Sequence, residues 1–302
     1  MSMMSRKRKG DKINGWIIID KPLEIGSTKI VSIVKRILNA QKVGHGGTLD
    51  PLASGILPIG LGEATKTMPY VVDSTKEYEF TVKWGSSTDS DDLEGATIHS
   101  GGITPSQEAI NTILPVFTGT IEQTPPAYSA IKVDGRRAYD MARAGEDVVL
   151  KSRLVKIQTL TVDTHDVDAG ETSFIVTCGK GTYVRSLGRD MAIALGTFGH
   201  IIKLRRTRVG PFTLEGAISL EKLEDMGHKG RAVELLLPVT TALDDIPVCA
   251  VTEEEAALLK HGGQIKLQTA NEDVVLLVHG QTPIAMASIT LGFTKILRVF
   301  NM

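Results

Sequence analysis

Asp50 is the first residue of this sequence whose surroundings suggest chemistry. It lies in VGHGGTLDPLASG (43–55), where three glycines precede it and a proline follows it. Glycines let the backbone come close to a ligand, and proline stiffens the chain behind the carboxylate. The segment alone is compatible with a turn-forming aspartate, a helix cap, a metal ligand or a catalytic carboxylate at a pocket wall.

Other classes of reactive site have little support in the sequence. The seven histidines are scattered without HxH or HExxH spacing, which argues against a catalytic metal. GLGEATK (60–66) lacks the spacing of a phosphate-binding loop, and no GxSxG motif is present. DSDD (89–92) lacks the spacing of a calcium loop, so we expect it to be a solvated acidic loop.

The charge of the chain is balanced in total but uneven along its length. The formal net charge is -1, whereas residues 1–50 carry ten Lys and Arg against four Asp and Glu. KLRRTR (203–208) adds four basic residues without an acid. This distribution fits either ordinary solvated faces or a basic groove that binds nucleic acid, with acidic surface elsewhere.

The cysteine count and the lack of a long apolar run both favour a cytoplasmic protein. Only two cysteines are present, Cys178 and Cys249, which fits a reducing cytoplasm and no disulfide framework. The sequence contains no run of about 18 apolar residues, so we expect no membrane span.

The elements next to Asp50 are a strand, a helix and a second strand. Branched apolar residues in INGWIIID (13–20) predict a buried strand. A helix with one apolar face follows, and Ser27 or Thr28 is expected to cap it. Strict alternation in YEFTVKW (78–84) predicts a half-buried strand that begins at Tyr78.

The rest of the chain indicates an α+β protein. A helix is expected from Thr182 to Leu195, and strands outnumber helices without alternating with them one for one. Near residue 240 the pattern changes to a short helix, with a capping box from Thr252 to Glu255, and several short strands. This predicts a small β-rich module that docks on the main domain, because its size is marginal for stability alone.

Six stretches together resemble one family, the bacterial tRNA pseudouridine-55 synthases. They occur in the order of the family and span most of residues 13–215. They are GWIIIDKP (15–22), KVGHGGTLDPLASGILPIGLGEATK (42–66), KEYEF (76–80), PPAYSAIKVDGRRAYDMARAGE (125–146), CGKGTYVRSLGRD (178–190) and LRRTRVGPF (204–212).

The resemblance implies a fold and a domain division. The fold is α+β, with a mixed, largely antiparallel sheet in a catalytic domain of the pseudouridine synthase type, here 13–243. A small β-rich domain similar to the PUA domain, which binds RNA, is expected over 244–302. Residues 1–12 would form a basic N-terminal arm, disordered by expectation.

The resemblance also implies a reaction and its residues. A uridine in the T arm of tRNA, at position 55, would be isomerised to pseudouridine after its base has left the stack, without a cofactor or a metal. Asp50 matches the essential carboxylate, Arg185 its guanidinium partner, and Tyr78 the ring that stacks on the target base. The expected substrate-binding residues are His45, Tyr183, Leu204, Lys21, Arg205 and Arg206, with the lysine and the two arginines on phosphates.

Two departures from the family pattern lie near Asp50. Glu24 stands where family members usually have glycine, and Gly46 stands where threonine or alanine is common. The first affects a turn, and the second would loosen the segment around Asp50.

The expected partner is tRNA alone. We expect a cytoplasmic monomer without an obligatory protein partner and without membrane contact. Two alternatives stay open on the sequence. One is a non-catalytic protein that binds or folds tRNA on the same scaffold, and the other is the catalytic subunit of an RNA-guided pseudouridylation particle.

Overall fold

The computed structural model describes residues 10–129, 131–133, 135–146 and 148–302. Residues 1–9, most of the predicted basic arm, lie outside this part. The seven α-helices of the described residues are α1 (Ser27–Ile37), α2 (Met68–Asp73), α3 (Gln107–Ile113), α4 (Ala138–Arg143), α5 (Val184–Ala194), α6 (Leu220–His228) and α7 (Glu253–Lys260).

The strands form one large sheet, one four-stranded sheet and two short hairpins. In chain order they are β1 (Gly15–Lys21), β2 (Val43–His45), β3 (Ala53–Leu61), β4 (Lys76–Trp84), β5 (Ser86–Thr88), β6 (Thr97–Ser100), β7 (Gly119–Gln123), β8 (Lys132–Val133), β9 (Arg136–Arg137), β10 (Arg153–Asp166), β11 (Glu171–Cys178), β12 (Gly199–Val209), β13 (Phe212–Thr213), β14 (Val248–Ala250), β15 (Glu272–His279), β16 (Thr282–Thr290) and β17 (Phe293–Val299).

The large sheet has nine strands and is mixed. Its main order is β1-β3-β12-β4-β11-β10-β7, with β2 paired to β3 and β13 paired to β12. Only β12 and β3 run parallel, and the other described pairs are antiparallel. The predicted α+β class with a mixed, largely antiparallel sheet is therefore confirmed.

The alternation predicted for β4 explains how the sheet holds its core. Phe80, Val82 and Trp84 are buried in one cluster with Leu187 and Met191 of α5, and Tyr78 packs at its edge. Side chains two residues apart on a strand point to the same face, so this pattern fixes which face meets α5. Tyr78 is thereby placed where the buried face meets solvent.

The predicted cap of α1 is wrong. Gly26 precedes the helix and no side chain caps it. The hydroxyl of Ser27 instead accepts a hydrogen bond from the backbone N–H of Leu49 and donates one to its carbonyl, both at 2.8 Å. The serine therefore ties the start of α1 to the segment that carries Asp50.

The C-terminal sheet shares a core with the first strand of the chain. Its order is β14-β15-β16-β17, and α7 begins with the predicted capping box of Thr252 and Glu255. Leu276, Met286 and Phe300 are buried in the same hydrophobic cluster as Trp16. The two sheets are thus joined by buried apolar contact as well as by the chain.

Candidate active site

One cleft of about 260 Å³ gathers six of the nine residues predicted for the site. The sheet brings them together because Leu204 of β12 lies beside Ala53 of β3 on one side and Phe80 of β4 on the other. The six residues that line the cleft are Asp50, Tyr78, Tyr183, Arg185, Leu204 and Arg206. Lys21, His45 and Arg205 are not part of its wall.

Asp50 faces the cleft and is held by a buried arginine. Its Oδ2 lies 3.0 Å from Nη2 of Arg185; the aspartate side chain is 39% exposed and the arginine side chain only 6%. The guanidinium also donates to the carbonyls of Ser90 and Tyr128, at 3.0 and 2.8 Å. The cation is therefore fixed from several sides, while the carboxylate keeps one side open to a ligand.

The prediction of a solvated DSDD loop is wrong. Ser90, Asp91 and Asp92 are buried, and the two carboxylates face arginines of α5. Asp92 Oδ2 lies 3.3 Å from Nη1 of Arg185, and Asp91 Oδ2 lies 2.9 Å from Nη1 of Arg189. Paired cations are what make buried carboxylates tolerable, and here they come from positions four apart on one helix face.

Burial raises the pKa of two carboxyl groups in this network, those of Asp91 and Asp190. The pKa of Asp91 is raised from 3.8 to about 6, chiefly because the carboxyl is removed from water, and Arg189 opposes the rise. The pKa of Asp190, which also pairs with Arg189, is raised by burial as well. The network behind Arg185 therefore sets four carboxylates against two arginines, and Asp91 takes up a proton in mildly acidic solution.

Lys21 and Arg206 support the Asp50 loop, which we define as residues 46–52, through bonds to backbone carbonyls. Lys21 is fully buried, and its ammonium donates to the carbonyls of Pro22, Ile25 and Pro51. Arg206 is 1% exposed and donates to the carbonyls of Gly47, Thr48 and Ile56. The predicted phosphate contacts of both are wrong, because both side chains are buried and backbone oxygens occupy the three N–H groups of Lys21 and three of the five of Arg206.

Removing Lys21 from water also changes its acidity. Burial lowers its pKa to about 8, Asp50 opposes the change, and the charge of Arg206 adds to it.

The two departures from the family pattern have local explanations. Glu24 adopts a left-handed backbone with φ of 64°, the conformation that favours glycine, and its N–H donates to the carbonyl of Pro51. A Cβ on Gly46 would lie 2.5 Å from Cγ1 of Val71. The valine therefore fills the space that a side chain at position 46 would take, and the expected loosening does not follow.

Gly55 has no room for a side chain. Its φ is 101°, and a Cβ there would lie 2.2 Å from the backbone oxygen of Arg206. The close approach is part of the parallel pairing of β3 with β12, in which Gly55 and Arg206 are partners. The glycines of the motif thus serve strand pairing as well as access to the cleft.

Two tyrosines from different elements line the cleft: Tyr78 lies on β4, and Tyr183 lies just before α5. Burial raises the pKa of Tyr78, an effect that the nearby Arg206 opposes, so its hydroxyl is a hydrogen-bond donor at neutral pH. Tyr183 precedes α5, and the buried amide of Gln123 bonds to both its N–H and its carbonyl, at 2.7 and 3.1 Å. The guanidinium carbon of Arg153 lies 5.0 Å from the centre of the Tyr183 ring.

Gln123 and Arg153 were not predicted as site residues. They are register partners across β7 and β10, and both hold Tyr183. No local sequence signal marks either residue, since each acts on a tyrosine that is distant in sequence.

His45 and Arg205 lie beside the cleft. Burial and the charge of Arg206 lower the pKa of His45, and its Nδ1 has no hydrogen-bond partner among residues the structure describes. Arg205 pairs with both carboxylate oxygens of Asp20, at 3.1 and 2.8 Å, and is about one-third exposed. Their contacts with substrate remain predictions.

In the described ranges, no group of three or more His, Cys, Asp or Glu side chains is placed to hold a metal ion. None of the described helices is both long enough and apolar enough to cross a membrane.

Family models match most of the chain. The model described as the TruB family pseudouridylate synthase N-terminal domain matches residues 35–184. The model described as the tRNA pseudouridylate synthase B C-terminal domain matches residues 185–244.

Relatives and solved structures agree with these matches. tRNA pseudouridine synthase B of Caulobacter sp. (strain K31) is 49% identical over 310 residues, covering 99% of this chain and all of that protein. The enzyme of that name from Caulobacter vibrioides is 52% identical over 264 residues, covering 87% of this chain and 85% of its own. A crystal structure of a Cbf5-Nop10-Gar1 complex matches with a TM-score of 0.73 and 26% identity, covering 94% of this chain and 84% of that one. The chain belongs to the TruB family of pseudouridylate synthases.

Proposed function

We propose that this chain isomerises uridine 55 in the T arm of tRNA to pseudouridine, with Asp50 as the catalytic carboxylate acting on a base that has left the stack. The single observation that carries the proposal is the pairing of a half-exposed Asp50 with a buried Arg185 in a cleft lined by two tyrosines. The names of the close relatives supply the substrate class.

The reaction is balanced without any further reagent. The C1′–N1 bond of uridine breaks, the base turns, and a C1′–C5 bond forms. The proton on C5 is released to solvent, and N1 takes up a proton. A carboxylate anion can serve as nucleophile or base in this sequence, whether it acts at C1′, at C6 or in an elimination.

The remaining residues of the cleft hold the base. Tyr78 would stack on the flipped pyrimidine, a contact worth about 1–3 kcal/mol per base. Tyr183 and Leu204 would bound the pocket, and Arg185 would keep Asp50 in position through their ion pair. Base extrusion costs a few kcal/mol, so we expect the T arm to be recognised through its shape and its phosphates, with few contacts to base edges.

The domain assignment is part of the same proposal. Residues 13–243 would bind and convert the target, and the C-terminal domain, 244–302, would add an RNA surface of the PUA type. We expect the chain to act as a monomer without a protein partner.

Tritium release tests the activity and its site. The substrate is an unmodified tRNA transcript that carries tritium at C5 of its uridines. The expected result is about one tritium released per tRNA, from one T-loop position, by the purified chain alone. Asp50→Asn is expected to abolish release while tRNA binding stays close to that of the unaltered protein.

Two outcomes would select the alternatives. Binding of tRNA without tritium release would indicate a protein that only binds or folds RNA. Release that depends on an added guide RNA would indicate the guided particle, the alternative that the structural likeness to a Cbf5 complex favours.

A further inference from the structure

The cleft has a positively charged wall away from the Asp50–Arg185 pair. Lys76, Arg153 and Arg206 line this wall together with the turn at residues 179–181. Within the described ranges, none of these three cations forms an ion pair with a carboxylate. Cations that lack acidic partners give a cleft a potential that attracts an anion.

Two of these cations have all or most of their N–H groups occupied. Lys76 donates to the carbonyls of Val71, Val72 and Ser74, and Arg206 to the carbonyls named above. Carbonyl oxygens satisfy the N–H groups without neutralising the charge. Lys76 and Arg206 therefore contribute potential to the wall but offer little direct bonding to a ligand.

Arg153 differs from both. Its guanidinium lies against the ring of Tyr183, and Nη2 donates to the carbonyl of Gly181. Its Nε is buried and finds no hydrogen-bond partner in the described part of the chain. A buried N–H without an acceptor is costly, and a ligand oxygen at this wall would remove that cost.

We propose that Arg153 and the turn at residues 179–181 form a subsite for one phosphodiester group next to the target nucleotide, with Arg153 as its direct ligand. The inference rests on the proposed function. The forked guanidinium suits phosphate oxygens, and stacking on Tyr183 fixes its plane. Because Arg153 and Asp50 line the same cleft, a nucleotide whose base reaches Asp50 has its own flanking phosphates near this wall.

The test replaces single phosphates by neutral methylphosphonates. The substrates are T-arm RNAs with one methylphosphonate 5′ or 3′ of the target uridine, 2′-O-methylated at the adjoining sugar, and the reference carries only the 2′-O-methyl group. Single-turnover rates and Kd are measured for the unaltered protein and for Arg153→Gln. With the unaltered protein, the methylphosphonate at one of the two positions is expected to weaken binding, or to slow the single-turnover rate, by about 10- to 100-fold.

If Arg153 contacts the phosphate, the effects of Arg153→Gln and of the methylphosphonate are not additive. On the reference RNA, Arg153→Gln is expected to lose a similar factor in affinity or rate. The methylphosphonate at the sensitive position is expected to cost this variant little more. Its slope of log Kd against log salt is expected to fall by about 0.7, the value for one contact to single-stranded RNA. Arg231→Gln is the matched control, since Arg231 is exposed, pairs with Glu234 and does not line the cleft.

Several results would overturn the subsite. One is an unaltered protein that tolerates every methylphosphonate near the target. Another is an Arg153→Gln variant with equal losses on all RNAs and an unchanged salt slope, which would make Arg153 only a support for Tyr183. If Arg153→Gln does not fold, Arg153→Lys is used instead: its ammonium lacks the fork that meets two phosphate oxygens, so the methylphosphonate penalty is expected to shrink, whereas a mere support would leave that penalty unchanged. Failure of the proposed function is separate, because it would appear as no tritium release by the unaltered protein.

Discussion

Gln123 and Tyr183 are sixty residues apart and exchange two hydrogen bonds through one buried amide. The amide oxygen accepts the N–H of Tyr183, and the amide nitrogen donates to its carbonyl. The start of α5, with Arg185 two residues further on, is thereby fastened to the edge strand β7.

Gln123→Ala is expected to lower both stability and turnover. It removes both bonds and leaves two backbone groups of Tyr183 without protein partners, at a cost of about 1–3 kcal/mol in unfolding free energy. Urea unfolding and single-turnover tritium release measure the two effects. Gln158→Ala is the control, because Gln158 is an exposed glutamine of the same sheet with one long hydrogen bond. Equal behaviour of the two variants would refute the fastening role.

Asp92→Asn is expected to reduce the chemical rate more than it reduces tRNA binding. The substitution keeps the size of the side chain but removes one of the two carboxylates that face the buried Arg185. Losing one carboxylate of this buried ion pair loosens the hold on Arg185, and a loss of about 1.4 kcal/mol in the transition state corresponds to roughly tenfold in rate. Glu94→Gln, a change at a nearby carboxylate without an ion pair in the described residues, is the comparison. A normal rate in Asp92→Asn would show that the Asp92 carboxylate is not needed to hold Arg185.

The stability of the protein is expected to depend on Asp91 between about pH 4 and 6. Its pKa is raised in the folded state, so the folded protein binds this proton more tightly than the unfolded chain. The contribution of Asp91 to stability is therefore greatest below about pH 4 and falls as pH rises through 6, by about 3 kcal/mol at most.

Urea unfolding of the protein and of Asp91→Asn at several pH values measures this dependence. The stability of the variant relative to the unaltered protein is expected to improve as pH rises from 4.5 to 7.5. Parallel pH curves for the two proteins would contradict the raised pKa.

Glu24→Gly is expected to stabilise the turn beside the Asp50 loop. Glu24 has a left-handed backbone, which costs about 1–2 kcal/mol in a residue other than glycine. Glycine removes this strain but adds freedom to the unfolded chain, so a net gain of about 1 kcal/mol or less is expected. Thermal melting measures the gain, with the exposed Glu221→Gly on α6 as a control that is expected to destabilise. A lower Tm for Glu24→Gly would show that the glutamate side chain makes a stabilising contribution.

The affinity for tRNA is expected to fall as salt is raised from low to physiological concentration. Phosphate contacts release counterions, and a basic groove formed by residues 1–50 and KLRRTR (203–208) would make such contacts. The structure takes Arg206 out of this set, because it is buried under the Asp50 loop. Filter binding across a salt series measures the slope, and an affinity that does not change with salt would remove the basic-groove interpretation.

The sequence was informative where a feature is local. Alternation in β4, the capping box of α7 and the helix that begins after Tyr183 are properties of neighbouring residues, and the structure has all three. Motif resemblance located the cleft, because six of nine predicted residues line it.

Burial of charged groups was the part that local reasoning misjudged. Asp91 and Asp92 look solvated in sequence because the arginines that pair with them lie more than ninety residues away. Lys21 and Arg206 look like phosphate ligands because residue type does not reveal which backbone carbonyls the fold turns toward them. No sequence pattern marks Gln123 as a residue that positions the site, because its role depends on where the fold places Tyr183.

The cluster that Trp16 shares with Phe300 has a consequence for how the protein folds. The two side chains are far apart in sequence and are buried in the same apolar cluster. Contacts of such long sequence separation form slowly, because the chain between them must first be brought together. The apolar face of β1 is therefore fully covered only after the C-terminal sheet has docked.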